Sequence, residues 1–232
     1  MESFLDMTLD RNLYIGVPVG AFLCSLFLLF CFLNTIRSRT VRSLRAVLVS
    51  CLVWTGGVIL MRLQVFPGIW FWHNFALMGL LVIPVFMYAF LFSFLEITEH
   101  DALIYIYGVL TVALVLGNAW SGTLVPAPEA VIRADGTCVY VYHATVGIWV
   151  LVVLEVLVLV YATYLAHCKI DGNLQLRKKL QPLLLGTLFI LAGNLFCQIP
   201  NNVFPFDMLG CVGMAVCMVY IMYKQYLFDF SY

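Results

Sequence analysis

Seven long apolar runs leave this chain almost no choice of solvent. Bounded by charged residues or by clusters of Pro, Gly and Asn, they fall at about residues 13–36, 44–64, 69–95, 103–125, 142–167, 179–199 and 206–227. As helices, runs of this length rise about 30 Å, the thickness of a bilayer's hydrocarbon core. Composition agrees, since 64% of the 232 residues are apolar and 10% are charged, where ordinary soluble domains are about one quarter charged. A water-soluble fold of this size would expose far larger apolar patches than soluble monomers tolerate. The expected fold is an all-α membrane protein, a seven-transmembrane-helix bundle that forms one domain over residues 1–232.

Basic residues set the expected orientation. Arg37, Arg39, Arg42 and Arg45 fill the first connection, Lys169, Arg177, Lys178 and Lys179 the fifth, and Lys224 lies at the end of the last run. Only Arg11, Arg62 and Arg133 fall on the other side. This asymmetry predicts an N-terminus outside and a C-terminus in the cytoplasm, as an odd number of spans also requires. Residues 1–12 are acidic and lack the basic n-region of a cleavable signal, so the first run is expected to remain as a helix. The chain is then a multi-pass protein of the cell inner (plasma) membrane. Its acidic third connection, residues 96–101, reads as a solvated turn.

The longest outer connection joins spans four and five. Pro126 and Pro128 are expected to stop the fourth helix. Residues 131–142 then read as two β-favouring runs about an Asp-Gly turn, a short extracytoplasmic β-hairpin. A lone hairpin is marginally stable, so it is expected to pack on the mouth of the bundle as a lid.

Twelve Lys and Arg balance twelve Asp and Glu, which gives no reason to expect a nucleic-acid partner. The eight cysteines show no CxxC spacing and mostly sit inside apolar runs, as small hydrophobes do, with Cys138 alone in a long polar connection. No metal site or cofactor is expected. His-Glu-x-x-His, Gly-x-Ser-x-Gly and phosphate-cradling loops are missing from the sequence, so it offers no catalytic residues. Lys224 lies too near the cytoplasmic end to carry a retinal Schiff base. Pro84 interrupts span three with no matching interruption noted in another span, unlike the paired broken helices of many transporters.

Polar residues inside the spans are the candidates for function, because the membrane makes them costly. Glu155 is the one formal charge near the middle of a span. It is either a ligand-, proton- or switch-coupled carboxyl or a neutral acid bonded across helices, with small Ala144, Ala162 and Ala166 near its face. Thr187, Asn194 and Gln198 share one face of span six, and Tyr107, Thr111 and Asn118 align on span four. Asn118 and Asn194 are expected at comparable depth in the outer half, either as interhelical hydrogen-bonding groups or as the lining of a polar cavity. Trp70, Phe71 and Trp72 suit the membrane interface, and His73 beside them would titrate near neutral pH at the rim of an outer cavity. The candidate ligand contacts are thus Trp72, His73, Asn118, Glu155, Asn194 and Gln198.

The last quarter reads LRKKLQPLLLGTLFILAGNLFCQIPNNVFPFDMLGCVGMAVCMVYIMYKQYLFDF, residues 176–230. A basic stretch (Arg177, Lys178, Lys179) opens a helix that closes with Asn194 and Pro200. A turn from Pro205 to Gly210 follows, and the final helix ends in an aliphatic-aromatic exit at residues 223–229. Together with RLQVFPGIWFWHNFALMGLLVIPVFMYAF at residues 62–90 and the hairpin before span five, this pattern resembles the N-terminal seven-helix sensor region of bacterial histidine kinases and diguanylate cyclases. The resemblance implies a sensory input domain that binds a small extracytoplasmic or membrane-derived ligand. Helix seven would relay the change to a kinase or cyclase output, read by a homodimer or a partner protein. The sequence ends at Tyr232, so the output is either a further part of the protein or a separate chain. Two rival readings stand beside this one: a small-solute or proton carrier centred on Glu155, and a membrane scaffold that anchors a partner through its basic loops.

Overall fold

The computed structural model describes residues 11–33, 38–95, 102–122, 125–132, 138–141, 145–169, 174–197 and 204–229. Its elements run α1 (Arg11–Leu33), α2 (Arg39–Arg62), α3 (Ile69–Phe94), α4 (Ala102–Ser121), β1 (Glu129–Ile132), β2 (Cys138–Val141), α5 (Val146–Lys169), α6 (Leu174–Cys197) and α7 (Phe206–Asp229). Among the described residues, three stretches are long and apolar enough to cross a membrane: Tyr14–Leu33, Arg39–Arg62 and Ile69–Phe94. The other helices carry shorter apolar stretches, Tyr105–Ser121, Trp149–Leu165, Leu184–Cys197 and Phe206–Ile221.

The helix ends depart from the sequence expectation where local chemistry overrides hydropathy. α2 starts five residues before the expected 44, because the Ser38 hydroxyl accepts the Val41 N–H at 3.1 Å and caps the helix outside its apolar run. α6 likewise begins at Leu174, because the Gln, Arg and Lys of its first two turns are good helix formers although they are not membrane-like. Pro182 lies inside α6 and Pro18 inside α1, so Pro84 is not the one proline within a helix. α4 stops at Ser121, ahead of the expected 125 and of Pro126. Gly122 ends it with φ +66°, a left-handed conformation that glycine adopts at little cost. α5 begins at Val146, not 142, and α7 runs on to Asp229. β1 pairs antiparallel with β2, Glu129 opposite Val141 and Ile132 opposite Cys138, so β1 starts two residues before the expected run. The Asp-Gly turn expected between them lies outside the described residues, as does the acidic connection at 96–101.

Six helices close a ring in the order α1, α2, α3, α5, α6, α7, and α4 leans on the outside of α3. Two pairs approach most closely, and glycines allow it. A Cβ on Gly79 of α3 would stand 2.5 Å from the Trp54 nitrogen of α2, and one on Gly57 would stand 2.8 Å from the Ala76 nitrogen. Between α6 and α7, a Cβ on Gly210 would come within 2.5 Å of the Phe189 carbonyl oxygen, and one on Gly193 within 2.6 Å of that of Phe206. Buried Leu44, Leu48, Phe90, Met208, Met214 and Met218 fill the interior.

The outer surface of the bundle is apolar as well. Phe27 and Phe30 of α1, Val109, Leu116 and Trp120 of α4, and Val153, Leu157 and Val160 of α5 are all exposed. Water does not tolerate so continuous an apolar coat, whereas lipid chains do. Charge gathers at the helix ends. Arg45 donates to the Phe32 carbonyl from Nε at 2.9 Å and to the Leu33 carbonyl from Nη2 at 3.0 Å, placing its cation on the negative end of α1.

Candidate functional site

A cavity of about 150 Å³ opens at the end of the bundle that carries the strands. α2 contributes Trp54, Val58 and Arg62, and α3 contributes His73, Ala76 and three leucines at 77, 80 and 81. The facing wall is Leu151, Val152 and Glu155 of α5 with Asn194 and Cys197 of α6. Val125, Tyr140 of β2, Phe204, Pro205 and Asp207 of α7 complete the lining. Three of the six residues singled out from sequence, His73, Glu155 and Asn194, therefore meet at one cavity.

Glu155 is 8% exposed, and its Oε1 has no hydrogen-bond partner among the described residues. Tyr107 of α4, which shares a hydrogen bond with Thr111, lies within electrostatic reach of it. Ala144 lies outside the described residues. Beyond Glu155 lies a second, far smaller void of about 10 Å³, bounded by Pro84, Met87, Leu159, Thr187 and Met214. Glu155 and Asn194 border both spaces. Asn194 bonds its own helix, Nδ2 donating to the Ile190 carbonyl at 2.9 Å. His73 is buried, not a hydrated rim residue; it bonds the backbone of Val125 and lies 6.1 Å from the Trp70 ring.

Charged groups sit higher in the lining. Arg62 donates from Nη1 to the Tyr14 carbonyl, and its guanidinium carbon stands 3.9 Å from the centre of the Tyr14 ring. The same cation interacts electrostatically with Asp207 in the first turn of α7. The Tyr14 hydroxyl accepts the Tyr140 N–H at 3.0 Å, and the Cys197 thiol accepts the Asp207 N–H at 3.3 Å. α1, α2, β2, α6 and α7 are joined here through a few polar contacts.

Of the other three candidates, Asn118 and Trp72 do not line the cavity. Asn118 is 1% exposed and fully used: Nδ2 donates to Asn74 Oδ1 and to the Val125 carbonyl, both at 3.0 Å, and Oδ1 accepts the Val125 N–H at 2.8 Å. Its partner is thus Asn74 on α3, not Asn194, and it fixes the chain leaving α4. Trp72 donates from its indole N–H to the Val65 carbonyl at 2.9 Å and so braces the turn between α2 and α3. Gln198 lies outside the described residues. Among the described residues, no three His, Cys, Asp or Glu side chains are grouped to hold a metal ion.

Helices wrapped in apolar surface around a polar-floored cavity describe a membrane protein, and comparison with known families gives its lineage. A family model described as the N-terminal 7TM region of histidine kinase matches residues 17–231, nearly the whole chain. The chain belongs to that family. No curated protein matches it. Within this 7TM region, the lining residues that sequence reasoning passed over are Arg62, Asp207, Tyr140 and Cys197. Arg62 was visible only as an outer charge and Asp207 only as part of a turn. Their meeting depends on packing α2 against α7, which no local pattern announces. A charged residue at each of two span ends on the same side was the one available signal.

Proposed function

We propose that this chain is the sensory input domain of a histidine kinase, set as a multi-pass protein in the cell inner membrane. The strand-bearing end faces outward and the opposite end lies in the cytoplasm, as the distribution of basic residues favours. A small molecule enters the cavity, contacts His73, Glu155 and Asn194, and favours one of two helix packings. Its effect equals the difference between its affinities for the two. The chain itself performs no chemistry.

One observation carries this reading: the cavity that holds Glu155 is also lined by Asp207, in the first turn of α7. α7 runs from there to the opposite end of the bundle, and its glycine-mediated fit against α6 makes the two helices a unit that moves together. Binding at the cavity thereby acts on the helix that leads toward a kinase. A carrier centred on Glu155 needs a polar route past that residue. The void beyond it, about 10 Å³, is at the lower limit for one water molecule, which favours a sensor over a carrier.

Filling the cavity tests the proposal. Val152→Trp projects an indole into the lining, while Val153→Trp, on the exposed face of the same helix, is its control. In the kinase that carries this region, Val152→Trp is expected to lock autophosphorylation at one level and Val153→Trp to leave its regulation intact. Equal behaviour of the two variants would remove the cavity from the mechanism.

A further inference from the structure

We propose that the cavity takes a small organic monocation, a primary amine on a short apolar body, with its ammonium group on Glu155. This rests on the reading of the cavity as a ligand site. It adds the chemical class that such a ligand must have.

The argument starts from the carboxyl. Glu155 is 8% exposed, and its Oε1 meets no hydrogen-bonding group among the described residues although it borders the cavity. A buried carboxylate left unpaired is costly, and a partner cation brought by a ligand offsets that cost. The other charges of the lining do not supply one. Arg62 is already engaged by the Tyr14 carbonyl and ring and by Asp207. His73 is held by the Val125 backbone. Two carboxyl groups, Glu155 and Asp207, thus share the lining with one guanidinium, and the excess of acid favours a positive guest. An anion would meet the wrong sign, and a neutral molecule would leave the carboxylate's charge uncompensated.

Shape sets the rest of the guest. Leu80, Leu81, Leu151 and Val152 give the wall beside Glu155 an apolar surface, and Trp54 adds an aromatic one. A volume of about 150 Å³ equals that of an engineered apolar cavity known to hold benzene. The fit is an amine of benzylamine's size, its ring against the leucines and its ammonium on the carboxylate.

The experiment is calorimetric titration of the full chain in phosphatidylcholine nanodiscs with benzylamine, benzyl alcohol and benzoate, empty discs correcting for partitioning. Benzylamine is expected to saturate at one site at least about tenfold more tightly than benzyl alcohol, with benzoate weakest. Glu155→Gln is expected to weaken benzylamine by about tenfold or more while leaving benzyl alcohol within about twofold, which also shows that the variant is folded. Equal binding of alcohol and amine, or benzylamine binding unchanged by Glu155→Gln, overturns the assignment. If benzyl alcohol binds and Val152→Trp abolishes it while the amine has no advantage, the ligand class fails and the cavity reading stands. Failure of all three probes to bind the unaltered chain overturns both.

Discussion

The hydroxyl of Tyr14, near the start of α1, accepts a hydrogen bond from the backbone N–H of Tyr140 in β2 at 3.0 Å, across 126 residues of sequence. The same tyrosine offers its carbonyl and ring to Arg62 at the end of α2. One side chain thus joins the strand pair to two helices beside the cavity. A short strand pair has little stability of its own and takes its position from such ties.

Tyr14→Phe separates these roles. The substitution keeps the ring beneath Arg62 and removes the oxygen that receives a buried N–H. An unsatisfied buried donor costs about 1–3 kcal/mol, so the expected outcome is a lower unfolding midpoint in detergent. The Tyr140 amide should exchange its hydrogen measurably faster, whereas amides in the middle of α2 should keep their protection. Unchanged exchange at Tyr140 would show that another group holds the strand.

Two asparagines that look alike in the sequence are expected to behave differently. Asn118→Leu removes the side chain that pairs the Val125 N–H and carbonyl and Asn74 Oδ1, leaving the Val125 backbone only its bond to His73. Loss of that network should cost roughly 2–4 kcal/mol. Asn194→Leu removes only a side-chain bond to its own helix, so the cost should stay below about 1 kcal/mol, with the response to ligand lost instead. Measuring chemical stability and kinase regulation on the same two variants checks both halves. The reverse ranking would exchange their structural and functional assignments.

That contrast shows what the sequence could and could not convey. Hydropathy alone marks the seven helical segments, because burial in lipid demands long apolar runs whatever the details of packing. Cap chemistry then moves the ends, as Ser38 and Gly122 do. Among the site residues, Glu155 and His73 stand out by composition, since a titratable side chain within an apolar run needs a reason. The difference between Asn118 and Asn194 is not local. It depends on Asn74 lying opposite α4 and on the chain after Gly122 turning back at Val125. The same holds for Arg62 and Asp207, which become neighbours only when α7 closes the ring beside α2.

Arg45 is expected to act at the end of the bundle away from the strands. Its guanidinium bonds the last carbonyls of α1, where the helix dipole leaves partial negative charge. Arg45→Ala should destabilise the protein by about 0.3–1 kcal/mol, and Arg45→Lys should recover the charge interaction without the paired geometry. Thermal unfolding at low and high salt distinguishes the two contributions. A salt-insensitive loss shared by both variants would point to packing of the side chain's stem, not to its charge.

The glycines of the closest helix contacts give the most demanding test of the packing. At Gly79 and Gly210 an added methyl meets backbone atoms 2.5 Å away, which a flexible side chain cannot relieve. Each Ala substitution should therefore cost about 1–3 kcal/mol through forced separation of the helices. At Gly20 and Gly117 nothing lies within 4 Å, so Ala there should be neutral or stabilising by up to about 1 kcal/mol, the usual helix preference of Ala over Gly. Position within the bundle then predicts function. Gly210→Ala pushes α7 away from α6, so it should shift basal kinase output as well as stability, whereas Gly79→Ala, between α2 and α3, should chiefly lower stability. Unfolding midpoints for all four variants, measured beside autophosphorylation without ligand, decide the matter. If Gly210→Ala and Gly79→Ala change output equally, relay is not the property of α6 and α7 moving as a pair.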